Sequence, residues 1–198
     1  MFERLIMGVD PGLSRCGVAV VRGSGHAPSL VESEVVRTAP EQPVGQRLQS
    51  IHHAISQLVT THQPAALAVE RVFINAQART GVGAIQVVGL VQLIGATAGI
   101  PVMEYTPSQV KAAVTGVGDA DKEQVMFMVQ RLLALDSAPT PADRADAIAV
   151  ALCHLGRPGH LTQGSVAPGV ASGLPPRLAA AVANAGPGLS PIRRGDRR

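Results

Sequence analysis

Aromatic residues and cysteines are scarce in this sequence of 198 residues. It contains three Phe, one Tyr and no Trp, which argues against a surface of stacked aromatic rings for single-stranded nucleic acid. It contains only two cysteines, Cys16 and Cys153, and the apolar run before Asp10 is too short for the core of a signal peptide. We therefore expect two buried, reduced thiols and not a disulfide framework.

Charge is absent from one long segment. Residues 80–103 contain no Asp, Glu, Lys or Arg, and residues 95–99 form a GxxxG pattern, so a membrane span has to be considered. The glutamines, the glycines and Pro101 within this segment favour burial inside a protein or at a subunit interface instead. We therefore predict a cytoplasmic protein that has no association with a membrane.

Charge is also unevenly distributed. Residues 1–156 carry 11 Lys and Arg against 13 Asp and Glu, a net charge of −2, whereas residues 157–198 carry six Arg against Asp196, a net charge of +5. The second part is rich in Gly, Pro and Ala, and such a composition does not bury enough apolar surface to fold. We predict one domain over residues 1–156 and a flexible basic tail over residues 157–198. Nucleic-acid binding by the domain must then depend on where its charges lie.

Strands and turns alternate at the start of the chain. The pattern predicts strands over residues 5–10, 16–22 and 30–37, separated by turns that contain Gly and Pro. Because links this short cannot make a parallel crossover, these strands must be antiparallel neighbours. Apolar residues at helical spacing predict a helix over 44–62, and the apolar run 65–70 predicts a buried strand.

Helices and strands alternate in the rest of the domain. The predicted elements are a helix over 80–98, a strand over 101–105, a helix that starts at a Thr106 capping box, a helix over 121–135, and a last helix, capped by Thr140 to Asp143, that runs to about Leu155. A meander followed by crossover units indicates an α/β fold of three layers, with helices flanking a mixed five-stranded sheet.

Four carboxylates stand out because the surrounding sequence is apolar. Asp10 and Glu70 each close an apolar strand, and Asp143 and Asp146 share one face at the start of the last helix. Ligands bind where the strands of an α/β sheet end, so Asp10 and Glu70 would be adjacent there if their strands are neighbours. Taken singly, each acid also has a structural explanation as a turn, strand-end or helix-start residue.

Taken together, the four acids predict a metal site. Unit charges ~4 Å apart repel each other by ~4 kcal/mol at an effective dielectric constant of about 20, so clustered carboxylates must be protonated, spread apart or bridged by cations. Oxygen ligands select Mg²⁺ or Mn²⁺ over zinc. Two such ions can activate water and stabilise the leaving oxygen of a phosphodiester. The sequence has no phosphate-binding loop, zinc-protease motif or serine-hydrolase motif.

Five blocks of sequence contain these acids and their neighbours. They are Met7-Gly-Val-Asp10-Pro-Gly, Val69-Glu70-Arg-Val-Phe73, Pro107-Ser-Gln-Val-Lys111, Asp121-Lys122-Glu-Gln-Val125 and Ala142-Asp143-Arg-Ala-Asp146. In this order and spacing, over about residues 4–155, they resemble the RuvC-type Holliday-junction resolvases. The resemblance implies a ribonuclease-H-like fold. It also implies a homodimer that cuts two opposed strands of a four-way DNA junction by Mg²⁺-dependent hydrolysis, leaving 5′-phosphate and 3′-hydroxyl ends.

The resemblance assigns roles to individual residues as well. The family's catalytic, metal-binding acids fall on Asp10, Glu70, Asp143 and Asp146, which would hold two Mg²⁺ ions per active site, with Mn²⁺ as a substitute.

DNA contacts are implied at five further positions. Phe73 matches a family aromatic that contacts unpaired bases, and a core Phe is the alternative. Lys111 and Lys122 match family lysines near the active site, where a cation can hold phosphate. Gln77 and Arg79 lie in the family's DNA-facing loop. For these four polar residues an ordinary solvated surface is the alternative.

The resemblance also implies a dimer interface and a protein partner. On the family pattern the uncharged helix over 80–98 would form the dimer interface, and a RuvA–RuvB branch-migration complex would be a partner. Residues 85–89 lack the basic residue that family members often have there.

Two other functions stay open: a DNA-structure-binding protein without catalysis, and an actin-like phosphotransferase, whose first phosphate loop also resembles Asp10-Pro-Gly12. The second would need another Asp-containing turn, which the sequence does not have.

Overall fold

The computed structural model of the chain describes residues 4–23, 28–73 and 81–157. The chain divides into two units, Met1–His160 and Leu161–Arg198, and the second lies outside the described residues, so the tail over 157–198 stays a prediction. The strands are β1 (Arg4–Asp10), β2 (Arg15–Gly23), β3 (Ser29–Arg37), β4 (Ala66–Glu70) and β5 (Val102–Tyr105); the helices are α1 (Val44–His62), α2 (Gly81–Ala98), α3 (Pro107–Thr115), α4 (Lys122–Leu132) and α5 (Ala142–Leu155).

The five strands form one mixed sheet in the order β3-β2-β1-β4-β5. Strand β2 pairs antiparallel with both β1 and β3, as the short links between these strands require. Strand β4 pairs parallel with β1 and with β5, because a helix crosses over before each of β4 and β5. The predicted α/β fold with a mixed five-stranded sheet is confirmed.

Helices cover both faces of the sheet. Successive side chains of a strand point to opposite faces, so Ile6 packs in one core with α3, α4 and α5, while Met7 and Val9 pack in a second core with α1 and α2. Ala68 and Val69 divide between the same two cores on the neighbouring strand. This arrangement makes the three layers that the sequence predicts.

The start of α3 is fixed by the predicted capping box. The Thr106 side chain accepts a hydrogen bond from the Gln109 amide at 3.2 Å, and the Gln109 side chain accepts one from the Thr106 amide at 3.0 Å. Helix α4 begins with a second capping box, between Asp121 and Gln124. It ends at Leu132, earlier than the predicted residue 135.

The predicted cap of the last helix is wrong. The N-cap of α5 is Pro141, which makes no side-chain cap hydrogen bond, because a proline side chain has no oxygen to accept one. A different contact fastens this end of the helix. The Arg144 guanidinium donates to the Ser33 carbonyl at 2.7 Å and to the Ser33 hydroxyl at 3.1 Å, which ties the start of α5 to β3.

Helix α2 is the uncharged helix of the sequence. It is long and apolar enough to cross a membrane by length and composition, with a mean hydropathy of 1.6, and core helices of soluble proteins pass the same test. Val87, Val91 and Ile94 pack into the core that α2 shares with α1, whereas Val82 and Leu93 are exposed. Burial within the protein therefore explains the apolar residues on one side of α2 but not those on its exposed side.

The two cysteines are free and buried, as expected. Burial is the main reason that the pKa of the Cys16 thiol rises to about 12, so this thiol stays protonated and unreactive.

Candidate active site

Parallel pairing places Asp10 beside Glu70. The register of β1 and β4 ends with Val9 opposite Val69, and the next residue of each strand is the acid. Because side chains alternate along a strand, each acid points to the same face as Ile6 and Ala66, which is the face that α5 covers. The conditional prediction that these acids are neighbours at the strand ends is therefore confirmed.

Two glycines let α5 approach this corner of the sheet closely. Gly17 pairs with Asp10 across β1 and β2, and a Cβ atom at Gly17 would lie 2.1 Å from the Asp143 carbonyl oxygen. A Cβ atom at Gly8 would lie 2.1 Å from the Ala147 carbonyl oxygen. The helix backbone thus occupies the space of two missing side chains, which brings the start of α5 directly over the Asp10 position.

The pKa values show that the four acids share one electrostatic environment. Burial is the largest cause that raises the pKa of Asp10 from 3.8 to about 7, and the negative charges of the other three acids raise it further. Burial is also the main cause of a raised pKa at Glu70 and at Asp146. The charge of Asp146 raises the pKa of Glu70, and that of Asp143 raises the pKa of Asp146. The structure therefore brings the predicted set together.

Both predicted lysines face these acids. The positive charge of Lys122 lowers the pKa of Asp10, Glu70 and Asp146, and that of Lys111 lowers the pKa of Glu70. Lys122 is the first residue of α4 and is exposed, and Lys111 lies on α3 and is half-buried. Both ammonium groups are thus near enough to the acids to favour their charged forms.

Arg15, which the sequence analysis did not select, pairs with one of the acids. Its Nε donates to Asp143 Oδ2 at 3.0 Å, and its Nη2 makes a short ion pair with the same oxygen. Arg15 is the first residue of β2, and no pattern in the sequence indicates the contact, because the two partners are 128 positions apart. Only the packing of α5 on the sheet brings them together.

The donor set fits a hard divalent cation. It consists of carboxylates alone, the chemistry that Mg²⁺ and Mn²⁺ prefer, and a cation there would relieve the repulsion that raises the pKa of Asp10. Among the described residues, no three His, Cys, Asp or Glu side chains are grouped so that they could hold a metal ion as they stand. The acids are therefore neighbours without being a closed ligand cage, and one of them is engaged by Arg15.

A buried arginine holds the turn between Asp10 and Arg15. Arg47 on α1 is 8% exposed. It donates from Nε to the Thr38 hydroxyl at 2.9 Å and from Nη2 to the Ser14 hydroxyl at 2.6 Å. The Thr38 hydroxyl in turn donates to the Leu13 carbonyl at 2.6 Å. The helical spacing of Arg47 with Ile51 was a signal in the sequence that this arginine faces the core.

The predicted DNA-contacting residues divide into two groups. Phe73 is 60% exposed just beyond Glu70, so the alternative of a core Phe is wrong, and its contact with a base stays a prediction. Gln77 and Arg79 lie outside the described residues, and their roles stay predictions.

Comparison with known proteins identifies the family. Residues 6–154 match the family model for crossover junction endodeoxyribonuclease RuvC. The chain belongs to the RuvC family. Crossover junction endodeoxyribonuclease RuvC of Salinispora arenicola is 51% identical over 155 residues, which are 78% of this chain and 89% of the relative. RuvC of Mycobacterium ulcerans is 46% identical over 159 residues, 80% of this chain and 86% of the relative.

Solved structures agree with this family. The T. thermophilus RuvC structure in complex with a Holliday-junction substrate has a TM-score of 0.72 and 38% identity, over 76% of this chain and 92% of that one. The yeast mitochondrial Holliday-junction resolvase, at 12% identity and a TM-score of 0.51 over 76% of this chain and 77% of that one, shares the fold. The ribonuclease-H-like fold and the assignment to the RuvC-type resolvases, both predicted from the sequence, are confirmed, and RuvC membership implies the use of a divalent metal.

Proposed function

We propose that this chain is a structure-selective endonuclease that cuts four-way DNA junctions by Mg²⁺-dependent hydrolysis, leaving 5′-phosphate and 3′-hydroxyl ends. One observation supports the proposal: Asp10 and Glu70 end two paired strands beneath the start of α5, and the charges of Glu70, Asp143 and Asp146 all raise the pKa of the buried Asp10. Carboxylates that cluster with raised pKa values are typical of a functional site, and a cluster of negative charge suits the binding of cations.

The four acids Asp10, Glu70, Asp143 and Asp146 would hold two Mg²⁺ ions, or Mn²⁺ in their place. When bound, the ions would supply the chemistry that activates the attacking water and stabilises the leaving 3′ oxygen. Asp10 and Glu70 would hold the ions from a rigid base, because neither β1 nor β4 is an edge strand of the sheet.

Cationic and aromatic side chains around the acids would bind the DNA. Lys122 and Lys111 supply positive charge beside the carboxylates, where they can hold the scissile phosphate and stabilise the charge that develops on it. The exposed ring of Phe73 would stack on an unpaired base at the junction. Gln77 and Arg79 would contact phosphates of the same strand.

A second copy of the chain would supply the second cut. Val82 and Leu93 expose apolar surface on α2, and a homodimer that packs these helices together would remove this surface from water. Two active sites related by a twofold axis suit a substrate whose two opposed strands must both be cut. We infer that the dimer works in the bacterial cytoplasm with a RuvA–RuvB branch-migration complex.

Replacement of Asp146 by Asn tests the proposal. The variant is expected to bind a synthetic four-way junction about as tightly as the wild-type protein and to leave it uncut, because the fold and the lysines remain while one metal-binding carboxylate is lost. The assay is Mg²⁺-dependent nicking of the junction, run beside a linear duplex of the same sequence.

The exposed Asp136 gives a matched control, since Asp136→Asn removes the same charge and should leave nicking unchanged. An Asp146→Asn variant that still cuts would contradict the assignment of the acids. Wild-type protein that binds the junction without cutting it would favour a non-catalytic DNA-structure-binding protein. ATP hydrolysis in the absence of DNA would favour the phosphotransferase.

Removal of residues 158–198 tests the predicted basic tail. This segment carries five arginines. If all five pair with phosphates, the slope of log K against log salt for junction binding should become shallower by ~4.5. Binding titrations at several salt concentrations measure the slope for the truncated and the full-length chain, and an equal slope in both would show that the tail does not contact DNA.

A further inference from the structure

The cations of the site do not act on the four acids equally. Arg15 pairs with Asp143 through Nε and Nη2, both directed at the same oxygen. In the part of the chain that the structure describes, the other three acids make no ion pair within 4.0 Å, and the cation whose charge acts on all three is Lys122. Arg15 therefore serves Asp143 in particular and is not a general counter-charge of the site.

The position of Arg15 allows this contact to be made and broken. Its side chain is 45% exposed and that of Asp143 is 21% exposed, so the guanidinium reaches in from the rim of the site. A half-exposed ion pair contributes little to folding stability, so breaking it does not endanger the fold.

We propose that Arg15 is a displaceable counter-ion, which competes with a divalent metal ion for Asp143 and so weakens the metal-binding step that uses this carboxylate. The inference rests on the proposed function, because it takes Asp143 as a metal ligand. A cation cannot approach Oδ2 while two N–H groups of a guanidinium occupy it, and the positive charge repels the ion until the arginine moves away. Arg15 is thus a positioning residue that acts through Asp143.

The proposal predicts an increase in metal affinity when Arg15 is removed. Arg15→Gln should bind Mn²⁺ about two- to five-fold more tightly than the wild-type protein, the range that corresponds to a half-exposed ion pair. The measurement is titration of metal-free protein with Mn²⁺ in the absence of DNA, with free Mn²⁺ followed by electron paramagnetic resonance. This readout does not depend on cleavage.

Arg37 provides a matched control. It lies directly opposite Arg15 in the register of β2 and β3, is exposed, and makes no ion pair with any described residue. Arg37→Gln removes the same charge from the same face of the sheet, so it measures the general electrostatic effect on Mn²⁺ binding. The effect of Arg15→Gln should exceed that of Arg37→Gln, and it should disappear when both proteins also carry Asp143→Asn.

The outcomes separate this inference from the proposed function. Equal Mn²⁺ affinities for Arg15→Gln and Arg37→Gln, or an undiminished effect of Arg15→Gln in the Asp143→Asn background, would overturn the role of Arg15 alone. Absence of Mn²⁺ binding by the wild-type protein, or undiminished binding by Asp10→Asn, would overturn the metal site and this inference with it. Urea denaturation of each variant confirms that the titrated protein is folded.

Discussion

At pH 8 and without divalent metal, the Asp10→Asn variant is expected to be more stable than the wild-type protein and to have lost cleavage of four-way junctions. Burial and the three neighbouring acids raise the pKa of Asp10 from 3.8 to about 7. A pKa shift of that size means that burial and the neighbouring charges disfavour the ionised form of Asp10, relative to the protonated form, by a free energy of ~4 kcal/mol. We expect a gain of ~2 kcal/mol in the free energy of unfolding, because the buried Asn amide must also be desolvated.

The pH dependence follows from the direction of this shift. The unfolded chain releases the Asp10 proton near pH 3.8, whereas the folded protein retains it up to about pH 7. The stability that Asp10 contributes is therefore fully present below pH 3.8 and is lost as the pH rises to about 7. The stability advantage of Asp10→Asn should grow across this interval and stay constant above it.

Urea denaturation at several pH values in the presence of a chelator measures this advantage. Glu41→Gln is a suitable control, because Glu41 is exposed and is not among the groups that shift the pKa of Asp10. Mg²⁺ should raise the melting temperature of the wild-type protein and have little effect on Asp10→Asn, since an ion that binds the folded state stabilises it. The explanation is wrong if Asp10→Asn is no more stable than wild type at pH 8.

Gly17→Ala is expected to impair both folding stability and cleavage. The new Cβ atom would lie 2.1 Å from the Asp143 carbonyl oxygen and 2.9 Å from its carbonyl carbon. These are backbone atoms and cannot rotate away, so the start of α5 must move outward. Strain of this kind costs about 1–3 kcal/mol, and a displacement of ~1 Å at acids that act in catalysis, as proposed, would lower the cleavage rate by about 10²-fold.

The same substitution at Gly45 separates this effect from that of adding a methyl group. Gly45 lies in the first turn of α1, and, apart from its chain neighbours and its own helix backbone, no described residue has an atom within 4 Å of the Cβ atom that an alanine would add there. Gly45→Ala should leave cleavage unchanged and should not lower stability, because Ala favours a helix more than Gly does. Denaturant midpoints and single-turnover cleavage rates measure both effects. Wild-type behaviour of Gly17→Ala would show that α5 does not press on the sheet at this position.

Local patterns in the sequence were enough to predict most elements and the four acids. The apolar spacing of residues 44–62 matches α1 from end to end, and the Thr106 capping box is present as predicted. The short links between β1, β2 and β3 were sufficient to predict that these strands pair antiparallel. The prediction failed at the start of α5, where Thr140 precedes a proline that takes the N-cap position, because several residues of that segment can cap a helix and the sequence does not decide among them.

The sequence by itself determined which segments form strands and which form helices, and that the site is built from carboxylates. Both features depend on residues that are close together in the chain. Only the tertiary structure decided which partners those carboxylates have. The pairing of β1 with β4 sets Asp10 beside Glu70, and Gly8 and Gly17 admit the backbone of α5. The contact of Arg15 with Asp143 spans nearly the whole domain. Contacts of this range depend on the packing of α5 against the whole sheet, which no local pattern encodes.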